Sequence, residues 1–139
     1  MSTRNTLAAA ILAVQLLVTI GLGAAPVSAA RGLTLEAQAR NVVGEFFQTI
    51  NARQFAKSCD LLSRGFYKQN RIPDKKRCVL RLTAGLTNTP TVFFRILGVR
   101  LQGDEAIVRA RANGAPGQIT LVRESGALKI LKVRRSLGS

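Results

Sequence analysis

The sequence predicts an α+β domain, with helices first and a four-stranded antiparallel sheet after them. Apolar residues from Leu35 to Asn51 recur at the helical period, and from Thr91 onward the texture becomes β-branched and alternating, broken by short Gly-containing turns. A further observation sets the limits of the domain. Residues 1–30 have the layout of an export signal, so the domain is expected over 31–139.

The leader has one early charge, Arg4, then an apolar run from Leu7 to Leu22, then the small-residue tail Gly23-Ala24-Ala25-Pro26-Val27-Ser28-Ala29-Ala30. A positive start, an apolar stretch and small residues at the exit make a secretory signal peptide. Cleavage near Ala29/Ala30 would leave a secreted or periplasmic protein. The competing expectation is an uncleaved N-terminal membrane anchor, because the run approaches the roughly 20 residues needed to span a bilayer. Pro26 and the alanine-rich exit favour cleavage.

Thr34 stands where an N-cap belongs and Glu36 suits the first turn of the opening helix. That helix spans Leu35 to Asn51, with Leu35, Ala39, Val42, Val43, Phe46, Phe47 and Ile50 on its apolar stripe. A second helix is expected from about Gln54 to Ser63, with Gly65 as its stop. Arg64 to Lys76 is polar and basic and is expected as a loop, over which Phe66 and Tyr67 fold back onto the core. Pro73 and Asp74 open a third helix carrying Cys78, Leu82 and Leu86, ended by Asn88-Thr89-Pro90.

Thr91 to Leu101 is expected as the first strand, bulged or bent at Gly98. Gly103-Asp104 turns into a second strand from Glu105 to Ala112. Asn113-Gly114-Ala115-Pro116-Gly117 is expected as a loop, Gln118 to Arg123 as the third strand, Glu124-Ser125-Gly126 as a turn, and Leu128 to Val133 as the fourth. Strands joined by such short turns form an antiparallel meander, and the first helix packs across it.

Charge and cysteine usage narrow the function classes. The chain has 21 basic residues against 7 acidic ones and no histidine, a net charge of +14. This balance suits anionic partners such as phospholipid headgroups or acidic envelope polymers. Nucleic acid is disfavoured, because the chain is expected to be exported and its few aromatics belong to the core. Two cysteines, Cys59 and Cys78, in an exported chain point to a disulfide. Without histidine, a metal site lacks ligands and a nucleophile lacks its usual base. No phosphate-binding glycine loop opens a helix. No cofactor is expected. Arg95, Arg109 and Arg111 alternate on neighbouring strands with Lys129 nearby, a candidate anion-binding face that also matches the wet side of any half-buried sheet.

The order of Val42-Val43-Gly44-Glu45-Phe46-Phe47, then Phe55-Ala56-Lys57-Ser58-Cys59-Asp60-Leu61-Leu62, then Leu121-Val122-Arg123-Glu124-Ser125-Gly126-Ala127-Leu128-Lys129-Ile130 resembles the nuclear transport factor two-like superfamily, also called cystatin-like, in its small exported bacterial form. The resemblance covers Leu35 to Val133, with Leu128 standing where many members have tryptophan. It implies a curved sheet wrapped around the long helix, a cone with an apolar pocket, and a cysteine pair joining the second and third helices. Some members are isomerases or dehydratases, and many have no known activity, so the fold assigns no chemistry.

Three readings follow. The first is an exported, non-catalytic domain that binds a small apolar ligand in the cone or an anionic envelope component through its basic surface. The second is an isomerase- or dehydratase-like enzyme with Asp60 as base and Tyr67 as hydrogen-bond donor, which requires both to face the cone. The third is a structural accessory subunit of an envelope complex. A homodimer through the sheet is a further expectation from the resemblance.

Overall fold

The computed structural model describes residues 33–135. The leader, its cleavage site and the alternative anchor lie outside these residues. Among the described residues four helices precede four strands: α1 (Leu35–Asn51), α2 (Phe55–Asp60), α3 (Arg64–Gln69), α4 (Lys75–Leu86), β1 (Phe94–Gln102), β2 (Glu105–Ala112), β3 (Ala115–Glu124) and β4 (Ala127–Arg135). The sheet is antiparallel in the order β1-β2-β3-β4. Helices followed by a curved four-stranded sheet are the expected α+β architecture.

The core forms where the apolar stripe of α1 meets one face of the sheet. Ala39 and Val43 are fully buried against Ala106 and Val108 of β2, Leu121 of β3 and Ile130 of β4. These sheet residues share one face because paired positions point the same way across the ladder: Ala106 faces Leu121, and Leu121 faces Ile130. At the end of α1, Phe47 stacks on Phe94 of β1 at 4.8 Å and meets Phe46 edge-on at 5.8 Å. Asn51, the last helical residue, donates to the carbonyl of Val92 and accepts from its amide, so a side chain supplies the pairing that Val92 would find in a neighbouring strand.

The helical cap is tied together by polar as well as covalent links. Ser58 donates to Thr49 Oγ1 at 2.7 Å in a buried contact between α2 and α1. Cys59 of α2 and Cys78 of α4 form the disulfide, with Cα atoms 6.1 Å apart. Asp74 caps α4 by accepting from the amide of Arg77.

Three local expectations are corrected. The second helix ends at Asp60, and the stretch expected as loop contains α3, whose N-cap Ser63 accepts from the amide of Phe66. Gly65 does not stop a helix. It lies in the first turn of α3, where a Cβ would stand 2.5 Å from Leu131 Cδ1, so its bare backbone makes room for β4. The expected five-residue loop contracts to the turn Asn113-Gly114, both at positive φ, and β3 already starts at Ala115. Phe66 and Tyr67 do pack against the core, as expected of a lid, although from a helix.

Two irregularities shape the sheet. The β1–β2 register shifts between Ile96 and Gly98, at the expected position, leaving Leu97 unpaired. A second shift, in β4, falls at Leu131, since Leu121 pairs with Ile130 but Thr120 pairs with Lys132. This extra residue reverses the alternation of β4. Leu128 and Ile130 face the core, after which Val133 and Arg135 take that face and Lys132 and Arg134 turn outward. Beside β4, the backbone of Leu61–Ser63 forms a parallel bridge with Ile130: the Ser63 amide donates to the Ile130 carbonyl, and the Ile130 amide donates to the Leu61 carbonyl.

Candidate functional site

The pattern of large and small residues along α1 and β2 leaves a cavity at one end of the cone. Its helical wall is built by Phe46, Phe47 and Ile50, three residues on one face because they are spaced for adjacent helical turns. Its floor is built by Ala110 and Ala112 of β2, with Gly117 beside Ala110 in the register. Small side chains on the floor opposite aromatic rings on the wall keep the two surfaces from closing. Leu86, Val92 and Val133 complete the apolar lining. The half-open cavity has a volume of about 510 Å³, within the usual range of small-molecule sites.

The polar residues at this lining are Thr89, Asn113, Gln118, Arg134 and Arg135, of which Gln118 and Arg134 face outward from the sheet and border the cavity from there. Among the described lining residues none is a carboxylate, phenol, thiol or lysine. A guanidinium has five N–H donors and no acceptor, so the described lining offers hydrogen-bond donors and positive charge. Arg135 is on the core side of β4 because of the extra residue at Leu131. The adjacent apolar pair Ile130-Leu131, which breaks strict alternation, was the signal for that displacement in the sequence.

Asp60 and Tyr67 lie elsewhere. They line a shallow groove of about 210 Å³ on the helical cap, together with Lys75, Glu124 and Lys129. The Asp60 carboxylate is 57% exposed and pairs with Lys75 Nζ at 2.7 Å. The Tyr67 hydroxyl donates to the carbonyl of Cys59 at 3.0 Å, closing α3 onto α2. Burial, then the negative charges of Asp60 and Asp74, pushes the Tyr67 phenol above its ordinary value of 10.0. The two residues are thus brought near each other, but neither lines the cavity.

The basic candidates divide. Arg95 is directly opposite Arg111 in the β1–β2 register, and Arg109 follows on the same, outward face. Arg134 joins them from β4 through Gln118, which pairs with both Arg109 and Arg134. Lys129 does not belong to this group. It aligns through Val122 with Glu105 at the other end of β2, and its ammonium donates to the carbonyl of Asp60. A further hollow of about 540 Å³ between α2 and α4, lined by Arg53, Gln54, Phe55, Val79 and Thr83 among others, is an open saddle with no sheet floor.

No family model matches the chain, and no curated protein is similar to it in sequence. Among solved structures it is similar to a "putative dehydratase from the NTF2-like family" of Streptomyces avermitilis, at 11% identity and a TM-score of 0.53, over 73% of this chain and 96% of that one. It is also similar to an NTF-2-like protein of unknown function from Silicibacter pomeroyi DSS-3, at 14% identity and a TM-score of 0.49, over 70% and 90% of the two chains. At 11% identity the likeness to the Streptomyces avermitilis protein is one of fold.

Proposed function

From the NTF2-like fold of this chain, we propose that the protein is an exported, non-catalytic domain whose cavity binds a small, predominantly apolar molecule with a polar or anionic end. The observation that carries this reading is the lining itself: a half-open apolar cavity of about 510 Å³ with arginine at its rim and no carboxylate, phenol, thiol or lysine among its described residues. Burying an alkyl or ring system there is favourable at roughly 25 cal/mol per Å² of apolar surface removed from water. Arg135 and Asn113 at the rim can meet a carboxylate, phosphate or hydroxyl at the ligand's polar end. Catalysis of the isomerase or dehydratase kind needs an acid or base inside the enclosure, and the lining supplies neither. Asp60 and Tyr67 are engaged with Lys75 and the Cys59 carbonyl on the cap, which supports a structural role for both.

The test is a titration with a polyene fatty acid whose fluorescence rises in apolar surroundings. Saturable enhancement that unlabelled fatty acid reverses is the expected result. Ala112→Phe, which fills the floor of the cavity, is expected to weaken the probe at least tenfold while leaving the far-ultraviolet circular dichroism unchanged. No enhancement, or equal binding by Ala112→Phe, would refute the reading.

A further inference from the structure

The end of the sheet at which the cavity opens differs from the other end in charge and in exposure. Here β1 and β3 begin and β2 and β4 finish, which places Arg95 beside Arg111 and puts Arg134 and Arg135 at the last positions of β4. The carboxylates of the sheet and its turns, Asp104, Glu105 and Glu124, all lie at the opposite end. There Arg100, Arg123 and Lys129 accompany them, so the positive charge left without nearby carboxylates is concentrated at the cavity end of the sheet.

At the same end stands Phe93, immediately before β1, with 77% of its surface exposed. Its exposure does not come from a loose backbone. The Phe93 amide donates to Asn113 Oδ1 at 2.9 Å, and the Asn113 amide donates to the Phe93 carbonyl at 2.7 Å. Val133, 51% exposed, presents a second apolar group at the rim. Fixed apolar groups in water amid arginines, around an apolar cavity, have one surface to which all of them are complementary.

We propose that this end of the cone docks on an anionic phospholipid surface, with Phe93 entering the boundary between headgroups and acyl chains. Arg95, Arg111 and Arg134 then meet lipid phosphates, to which the guanidinium fork is matched in geometry. Basic residues close to an anionic leaflet are drawn to it, and an aromatic ring is stabilised at the interface. A soluble polyanion would satisfy the arginines but would leave Phe93 and Val133 in water, so the exposed apolar groups select the lipid surface. Docking in this orientation turns the cavity mouth toward the bilayer. This orientation gains its purpose from the cavity reading above, although docking itself is measured without any cavity ligand.

The chain contains no tryptophan, so full-length Phe93→Trp reports the surroundings of its own ring. Vesicles containing phosphatidylglycerol are expected to shift its emission to the blue, and pure phosphatidylcholine vesicles to leave it unchanged. Leu101→Trp, at the far end of β1 where carboxylates balance the basic residues and 51% exposed in the parent, is expected to show no shift. That control separates docking by the cavity mouth from tethering through the apolar N-terminal stretch. Adding Arg95→Gln and Arg111→Gln to Phe93→Trp is expected to weaken vesicle binding about fivefold for each arginine, and raised salt to act in the same direction. The proposal is overturned by an absent shift, by an equal shift of Leu101→Trp, or by an equal shift on soluble polyphosphate. Ala112→Phe in the Phe93→Trp background should lose the fatty-acid probe and keep the vesicle response, so the two readings fail separately.

Discussion

Tyr67 shows how a single residue can be placed by sequence and yet be given its role only by its neighbours. It is the one tyrosine of the chain, so its ionisation can be followed by near-ultraviolet absorbance without interference. Burial and the adjacent Asp60 and Asp74 charges raise its folded pKa above 10.0. The folded state therefore holds the phenolic proton more tightly than the unfolded state does. The resulting stabilisation is fully present below pH about 10, the unfolded value, and is lost as pH rises through the higher folded value. The phenolate also cannot donate to the Cys59 carbonyl. Absorbance titration of the folded protein should give a midpoint above 10.0, and Tyr67→Phe should remove this part of the alkaline loss of stability. The proximity of Asp60 to Tyr67 was legible in the sequence. The direction in which both point was not, because a helix of six residues has too few turns for periodicity to define its buried face.

The elements were most legible where a periodic pattern was long or a turn had a chemical requirement. The bounds of α1 and β2 follow from sustained periods, and Ser125-Gly126 forms a two-residue turn with both residues at positive φ. Elements without such signals were missed. Polar α3 resembles a loop until Ser63 is seen to cap it, and Pro116-Gly117 resembles a turn although both are paired in β3. Gly117 is needed there: a Cβ would stand 2.9 Å from the backbone oxygen of Arg134, which cannot move aside without disturbing β4. Gly117→Ala is expected to lower stability by about 1–3 kcal/mol in denaturant titrations, the usual range for forced overpacking. The disulfide between α2 and α4 closes a sequence separation of 19 residues. Replacing both cysteines by alanine should cost about 3 kcal/mol in the chain-entropy account, read as a lower denaturant midpoint.

At the scale of the whole molecule, the order of helices and strands was legible because each short turn dictated an antiparallel neighbour. The cavity and the polarity of charge were not, because both depend on which residues share a face after the extra residue in β4 has reversed its alternation. Strict alternation would have turned Val133 and Arg135 away from the cavity and put Lys132 and Arg134 on the core side. The bridge between Leu61–Ser63 and Ile130 has a bearing on crowding. A sheet margin with free amides and carbonyls can recruit a strand from another copy and grow into a ribbon. On the β4 side the amide and carbonyl of Ile130 are already engaged by the chain itself. On the β1 side the bulge at Leu97 interrupts the repeat, and Arg95 and Arg100 set like charges facing any identical strand that approached. Each margin of the sheet thus carries a local obstacle to the addition of a strand from another copy.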